Sequence, residues 1–258
     1  MRVLCIGDVV SPNGVRKCLD TLPKLKKQYS ADAVIVNGEN SAIGNGIDEA
    51  AASMLFTAGA DVITGGNHTL RQKSFHNMLD ENPFVLRPHN LPANYGSGYV
   101  LLDMGKYSLA VINLIGTVYL DSIKAENPFI CADGLINRAK SDGATAIIVD
   151  FHAEATSEKR ALGFYLDGKV SAIFGTHTHV QTSDIQILPK KTGYITDIGM
   201  TGPKDSVLGI NKEIIISRLK DNTTDKFVFS DSECIISGCL FEIDNSTGLC
   251  VNAESFCI

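Results

Sequence analysis

The segment FGTHTHVQT carries two imidazoles two residues apart, His177 and His179, in a chain with only six histidines. Adjacent imidazoles that protonate together repel each other, whereas a metal ion holds both neutral as ligands. Other candidate ligands recur in one local setting, just after a short apolar run. Asp8 follows MRVLCIG, Glu39 and Asn40 follow AVIVNG, Asn67 and His68 follow DVITGG, and His152 follows ATAIIVDF. One Asp, one Glu, two Asn and four His make a mixed oxygen and imidazole donor set. Such a set suits Fe, Mn or Zn better than Ca or Mg. It exceeds what one tetrahedral zinc takes and suits two ions that share a carboxylate.

Two ions about 3.5–4 Å apart form a clamp for in-line attack at phosphorus. They lower the pKa of a bridging water, and a nearby imidazole can protonate the leaving alkoxide. Taken singly, several of these residues have plainer roles. Asp8 could cap a helix, Asn40 and Asn67 could be turn residues beside glycine, and His152 could be a buried, hydrogen-bonded histidine. The pair at 177 and 179 is harder to explain that way. At a strand end, residues i and i+2 point the same way, so both rings are expected to face one site.

The elements that must position these residues read as strands alternating with helices. Buried strands are expected at Met1–Gly7, Ala33–Asn37, Asp61–Thr64, Ala144–Asp150, Val170–Phe174 and Gly193–Thr196, and a hairpin at Tyr99–Met104 and Tyr107–Leu114. Helical spacing marks Val15–Tyr29, Asp48–Ala58 with Asp48 as N-cap, Arg71–Glu81, the later part of Glu126–Ser141, and Thr156–Leu166. After Asn211 the pattern reads as strands and turns without clear helices: EIIISRL, KFVFS, CIISGCLFEID and LCVNAESF. The fold class is therefore α/β with antiparallel strands added late. In such sheets ligands bind at the carboxyl ends of strands, so five strand ends could converge on one site.

Length and composition bound the rest. The 258 residues fit a single domain, 1–258, with 44% hydrophobic and 20% charged residues and a net charge of −6. No basic stripe is present, so DNA binding is not expected. No run of eighteen or more apolar residues suggests a membrane span, and the N-terminus lacks signal-peptide length. The expected location is cytoplasmic. Seven scattered cysteines without a C-x-x-C read as free, packing thiols.

The series GD at 7–8, NGEN at 37–40, GGNH at 65–68, FHAE at 151–154 and GTHTH at 175–179 resembles the calcineurin-like metallophosphoesterases. VNGENSAIGNGI, DFHAEATSEKRALGFYLDGKVSAIFGTHTHVQTSD and YITDIGMTGPKDSVLG are similar to its bacterial YmdB-like subfamily, over nearly the whole chain to about Gly209. The resemblance implies a sandwich of two β-sheets flanked by helices, a di-iron or di-manganese centre, and phosphodiesterase activity on 2′,3′-cyclic nucleotides. Iron is the first choice, with Mn or Zn permitted. It further implies that Asp8, Glu39, Asn40 and His179 hold one ion. Glu39, Asn67, His152 and His177 hold the other, with Glu39 bridging and His68 as proton donor. The chain departs from the family pattern at Val10, where the superfamily has histidine, in the Ser11 loop, and at Leu70-Arg71, where the subfamily has Trp-Asp.

The expected partner is a small phosphodiester or cyclic nucleotide, with homo-oligomerisation left open. An alternative is a metal-holding regulatory protein that acts mainly by binding partners. A different metallohydrolase acting on amides fits poorly: amidohydrolases place H-x-H after the first strand, whereas here the pair lies late, and HTHVQT lacks the Asp-His of the metallo-β-lactamase-like H-x-H-x-D-H. No G-x-G-x-x-G follows the first strand and no P-loop occurs, which disfavours a nucleotide-binding Rossmann protein.

Overall fold

The computed structural model describes residues 1–120 and 123–258. Three parallel strands, β1 (Arg2–Ile6), β3 (Ala33–Asn37) and β4 (Val62–Thr64), start one sheet. The antiparallel strands β13 (Ser237–Ile243) and β14 (Cys250–Cys257) extend it in the order β14-β13-β1-β3-β4. The second sheet contains β5 (Tyr99–Asp103), β6 (Ser108–Ile115), β7 (Ala146–His152), β8 (Ala172–Thr176), β9 (Gln186–Ile187) and β10 (Gly193–Ile195). Its order is β5-β6-β7-β8-β10-β9, and β6, β7, β8 and β10 run parallel. A small third sheet joins β2 (Asp8–Val9), β11 (Met200–Pro203) and β12 (Cys234–Ile235).

The apolar runs form strands buried on both faces, and the period of two sorts their side chains between layers. In β1, Leu4 and Ile6 pack against α1 (Ser11–Gln28) and α2 (Glu49–Ala58), while Val3 and Cys5 enter the core between the sheets. In β7, Ile147, Val149 and Phe151 pack under α4 (Pro128–Ser141) and α5 (Thr156–Leu166), while Ala146 and Ile148 face the other sheet. The result is a two-sheet sandwich with helices on both outer faces. Because β1, β3 and β4 run parallel to one another, as do β6, β7 and β8, their carboxyl ends collect at shared edges.

Local capping accounts for the helix starts. Asp48 accepts the Ala51 N–H at 2.8 Å and Gly59 ends α2 at φ 108°. α1 begins earlier than periodicity alone indicates, at Ser11, with a proline in its first turn. Expected Arg71–Glu81 resolves into a 3-10 turn (Lys73–Phe75) and the short α3 (His76–Glu81).

Two expectations in the tail are corrected. EIIISRL lies in a helix, α6 (Lys212–Asp221), not a strand. The three consecutive isoleucines suggested β structure, but Asn211 caps the Glu213 and Ile214 N–H groups and Asn222 closes the end in the left-handed conformation. KFVFS forms no strand; Phe229 makes only an isolated bridge to Ile210. All seven cysteines carry free thiols, as composition suggested. Among the described residues no helix is long and apolar enough to cross a membrane.

Candidate metal centre

Every one of the eight ligand-type residues singled out from sequence lies at one edge of the sandwich. Asp8 begins β2, directly after β1, and is fully buried. Glu39 and Asn40 follow β3, and Asn67 and His68 follow β4. From the other sheet, His152 is the last residue of β7, and His177 and His179 follow β8. His152 therefore sits on its strand, because β7 runs two residues beyond the expected end at Asp150.

Polar contacts knit the two halves together. Asn40 Nδ2 donates to Glu39 Oε1 at 2.7 Å, and the His68 backbone N–H donates to Glu39 Oε2 at 2.8 Å. His152 Nε2 lies 3.4 Å from Glu39 Oε1, 2.9 Å from Asn67 Oδ1 and 3.1 Å from His177 Nδ1. Asp8 Oδ2 accepts the His177 N–H at 3.1 Å. Gly66 allows this crowding: a Cβ there would come within 2.3 Å of His152 Nε2 and 2.4 Å of Glu39 Oε2. Only a residue without a side chain lets the backbone approach so closely.

The His-x-His pair does not behave as a strand end. β8 stops at Thr176, and His177 and His179 have φ of 99° and 65°. Left-handed backbone at two non-glycine residues costs conformational energy that the surrounding structure must hold in place. The two rings also part company. His177 Nδ1 faces His152, whereas His179 Nε2 lies 3.3 Å from Asn40 Nδ2 and 3.8 Å from Asp8 Oδ1.

A buried polar layer beneath the ligands orients them, and motif reading had not assigned it a role. Thr176 Oγ1 donates to Asp150 Oδ1 at 2.8 Å, so it accepts from His152 Nδ1 at 2.9 Å. That places the hydrogen of neutral His152 on Nδ1 and turns the Nε2 lone pair toward Glu39 and His177. Asp150 also accepts from Asn37 Nδ2 at 3.0 Å and from Thr64 Oγ1 at 2.5 Å. Asn113 exchanges two hydrogen bonds with the Gly65 backbone, at 2.9 and 3.0 Å, and so pins the GGNH turn to β6. The available signal was a lone polar residue inside each apolar run: Asn37, Thr64, Asn113, Asp150 and Thr176. On strands buried on both faces, such residues need partners from other strands.

Electrostatics favour a cation here. Burial pushes the Glu39 carboxyl up, but the His152 and His68 imidazoles outweigh it and hold Glu39 well below the usual carboxylate range. Burial raises Asp8, against the pull of His179 and His152. Burial opposes charge on His152, yet Glu39, Asp8 and Asp150 push it up to about 9. Burial, aided by His152, pushes His177 down to about 3, so that ring is a neutral donor. The protein alone thus stabilises one positive charge between its carboxylates.

The donor atoms of Glu39, His152 and His177 all lie within 4.8 Å of one another, a triad that can hold a metal ion. Asp8 Oδ1 and His179 Nδ1 are buried and have no hydrogen-bond partner among the described residues. Buried polar atoms are rarely left unpaired, and a bound cation would satisfy Asp8 Oδ1. The residues present therefore fit a metal. The cleft above them encloses about 700 Å³ and is lined by Glu39, Asn40, His68, His177 and His179, with Ile43, Leu208 and Phe227 on its walls.

A family profile described as "YmdB-like protein" matches residues 4–256. The chain is 45% identical over 259 aligned residues to a 2′,3′-cyclic-nucleotide 2′-phosphodiesterase of Bacillus subtilis (strain 168), covering 100% of this chain and 97% of that protein. Among solved structures, a phosphatase from Mycoplasma pneumoniae superimposes with a TM-score of 0.94 at 37% identity, covering 100% of this chain and 93% of that one. A protein from Thermus thermophilus superimposes with a TM-score of 0.91 at 37% identity, covering 100% and 99%.

Proposed function

The chain belongs to the YmdB-like protein family of calcineurin-like metallophosphoesterases, and from that membership we propose that it is a two-ion phosphodiesterase acting on 2′,3′-cyclic nucleotides. One observation carries the reading. Two buried carboxylates, Asp8 following β1 and Glu39 following β3, meet three imidazoles from the second sheet, and Asp8 Oδ1 has no hydrogen-bond partner among the described residues. The substrate class follows the Bacillus subtilis relative and its 45% identity.

Asp8, Glu39, Asn40 and His179 would hold one ion; Glu39, Asn67, His152 and His177 would hold the other, with Glu39 shared. The separate directions of His177 and His179 support this division. Bound there, the ions supply Lewis acidity toward water and phosphate oxygens, which makes a nucleophile available at neutral pH. The donors accommodate Fe, Mn or Zn, and the family resemblance makes iron the first choice.

His68 protonates the leaving ribose oxygen. Its side chain is 28% exposed, against 18% for His177, 10% for His179 and 0% for His152, so its ring reaches the cleft best. Glu39 Oε1 lies 3.3 Å from His68 Nδ1. Asn40 Oδ1, 3.0 Å from the same nitrogen, fixes its orientation. Asn67 Nδ2 lies 3.1 Å from His68 Nε2, which accepts from it in the neutral ring.

Metal analysis of anaerobically purified protein, paired with hydrolysis of 2′,3′-cyclic AMP and bis-p-nitrophenyl phosphate, tests the reading. About two ions per chain and turnover of both substrates are expected. Fewer ions together with no hydrolysis overturns it.

A further inference from the structure

The cleft carries one cationic side chain that the metal centre does not use. Arg71 is the single Lys or Arg in its lining among the described residues. Of the other arginines, Arg16 is exposed on α1 away from the cleft lining, and the remaining five are committed. Arg2, Arg138 and Arg160 each reach a carboxylate, and Arg87 and Arg218 are held by backbone carbonyls. Among the described residues, the Arg71 guanidinium makes neither an ion pair nor a hydrogen bond.

Its backbone, by contrast, is fixed. The Arg71 N–H donates to His68 O at 2.9 Å, closing the turn that carries the proton donor. Next along the chain, Gln72 Nε2 donates to Asn45 O at 2.9 Å and ties this turn to the 43–46 loop on the rim. An anchored Cα with an uncommitted guanidinium over a cleft suits capture of an anion, and guanidinium geometry matches phosphate. The cleft also has an apolar wall, Leu208, Ile210 and Phe227, on which a nucleoside can lie. Arg218 sits 4.5 Å from the centroid of the Phe227 ring and backs that surface.

Resting on the phosphodiesterase reading above, we infer that Arg71 is a specificity-determining residue that binds a second phosphate of the substrate. In a 2′,3′-cyclic nucleotide the 2′ and 3′ oxygens are already esterified, so a second phosphate sits on the 5′ oxygen. The preferred substrate class is then a 2′,3′-cyclic nucleotide phosphorylated on its 5′ side. That phosphate belongs either to a terminal 5′-monophosphate or to the diester that links a preceding nucleotide.

The test is calorimetric binding of product-like ligands to the full, Mn-loaded chain: adenosine 3′-phosphate, adenosine 3′,5′-bisphosphate, and the dinucleotide ApAp ending in a 3′-phosphate. Wild type is expected to bind the bisphosphate about tenfold or more tightly than the monophosphate, the size of one charge-assisted contact. In Arg71→Gln that ratio should fall to within about twofold. A Phe227→Ala variant should weaken all three ligands while keeping the ratio. Stronger binding of ApAp than of the bisphosphate assigns the phosphate to a preceding nucleotide; the reverse assigns it to a terminal monophosphate. Equal wild-type affinity for all three ligands, a preference that survives Arg71→Gln, or a ratio lost equally in Phe227→Ala overturns the inference. Hydrolysis of 2′,3′-cyclic AMP is scored separately. Its absence removes the activity reading and leaves the binding ratio to decide Arg71, whereas turnover with a flat ratio removes only the second-phosphate anchor.

Discussion

Asp8 and Asp197 are both buried aspartates, and both grip the same loop, His177–His179. Asp8 Oδ2 accepts the His177 N–H at 3.1 Å; Asp197 Oδ2 accepts the Thr178 N–H at 3.1 Å and the Thr178 hydroxyl at 2.7 Å. Their remaining valences differ. Asp197 also takes Lys159 Nζ at 2.8 Å and the Gly199 N–H at 2.8 Å, so both its oxygens are bonded. Asp8 Oδ1 has no hydrogen-bond partner among the described residues; the imidazole nitrogens His152 Nδ1 and His179 Nε2 each stand 3.8 Å away. His152 Nδ1 is moreover already committed to Thr176.

A buried charge that the chain completes by itself is structural: it holds a loop in a conformation the backbone resists. A buried charge that the chain leaves incomplete is expensive unless something else completes it. The side-by-side placement of the two explains the strained loop. Asp197 holds Thr178 in the middle of it, and that grip presents the flanking histidines in opposite senses.

If the incomplete cluster is the working one, Glu39→Gln should lower kcat/KM toward 2′,3′-cyclic AMP by about 10³-fold or more, equivalent to about 4 kcal/mol of barrier. The circular dichroism of the variant should match wild type. Activity within tenfold of wild type would break the assignment. Lys159→Met attacks the completed cluster. Leaving Asp197 charged and buried should cost about 3–5 kcal/mol of unfolding free energy in a denaturant titration. Adding Asp197→Asn should restore part of it, and a double variant no better than Lys159→Met would show that the pair is not the source of the loss.

Metal should act on one cluster only. At a free concentration of about 100 times Kd, Mn²⁺ should stabilise wild type by about 2.7 kcal/mol, read as a rise in Tm over chelated protein. The rise should vanish in Glu39→Gln and persist in Lys159→Met; a rise in both would separate the metal from Glu39. The smallest effect is expected from Thr176→Val, which removes the hydroxyl that orients His152. Metal affinity should fall about 10–100-fold, with the fold and the Asp197 contacts unchanged. Unaltered affinity would show that His152 orients without Thr176.

The sequence by itself determined which side chains could ligate and that they would lie at strand ends. Donor chemistry is a property of residue type, and AVIVN, ATAIIVD and VSAIF read as strands because apolar runs of that length bury on both faces. It misread Lys212–Asp221, where three isoleucines outweighed the Asn211 cap in a pattern judged by propensity alone. It also placed His177 and His179 on one face of a strand that ends at Thr176. Only the tertiary structure decided that both rings sit on left-handed backbone beyond the strand, that Thr176 and Asp150 set the tautomer of His152, and that Asp197 is satisfied while Asp8 is not. Those outcomes depend on contacts between residues far apart in sequence, such as His177 to Asp8 and Asn37 to Asp150. Local periodicity carries no information about which distant partner arrives, because that is settled by how two sheets pack and by which buried polar atoms find one another.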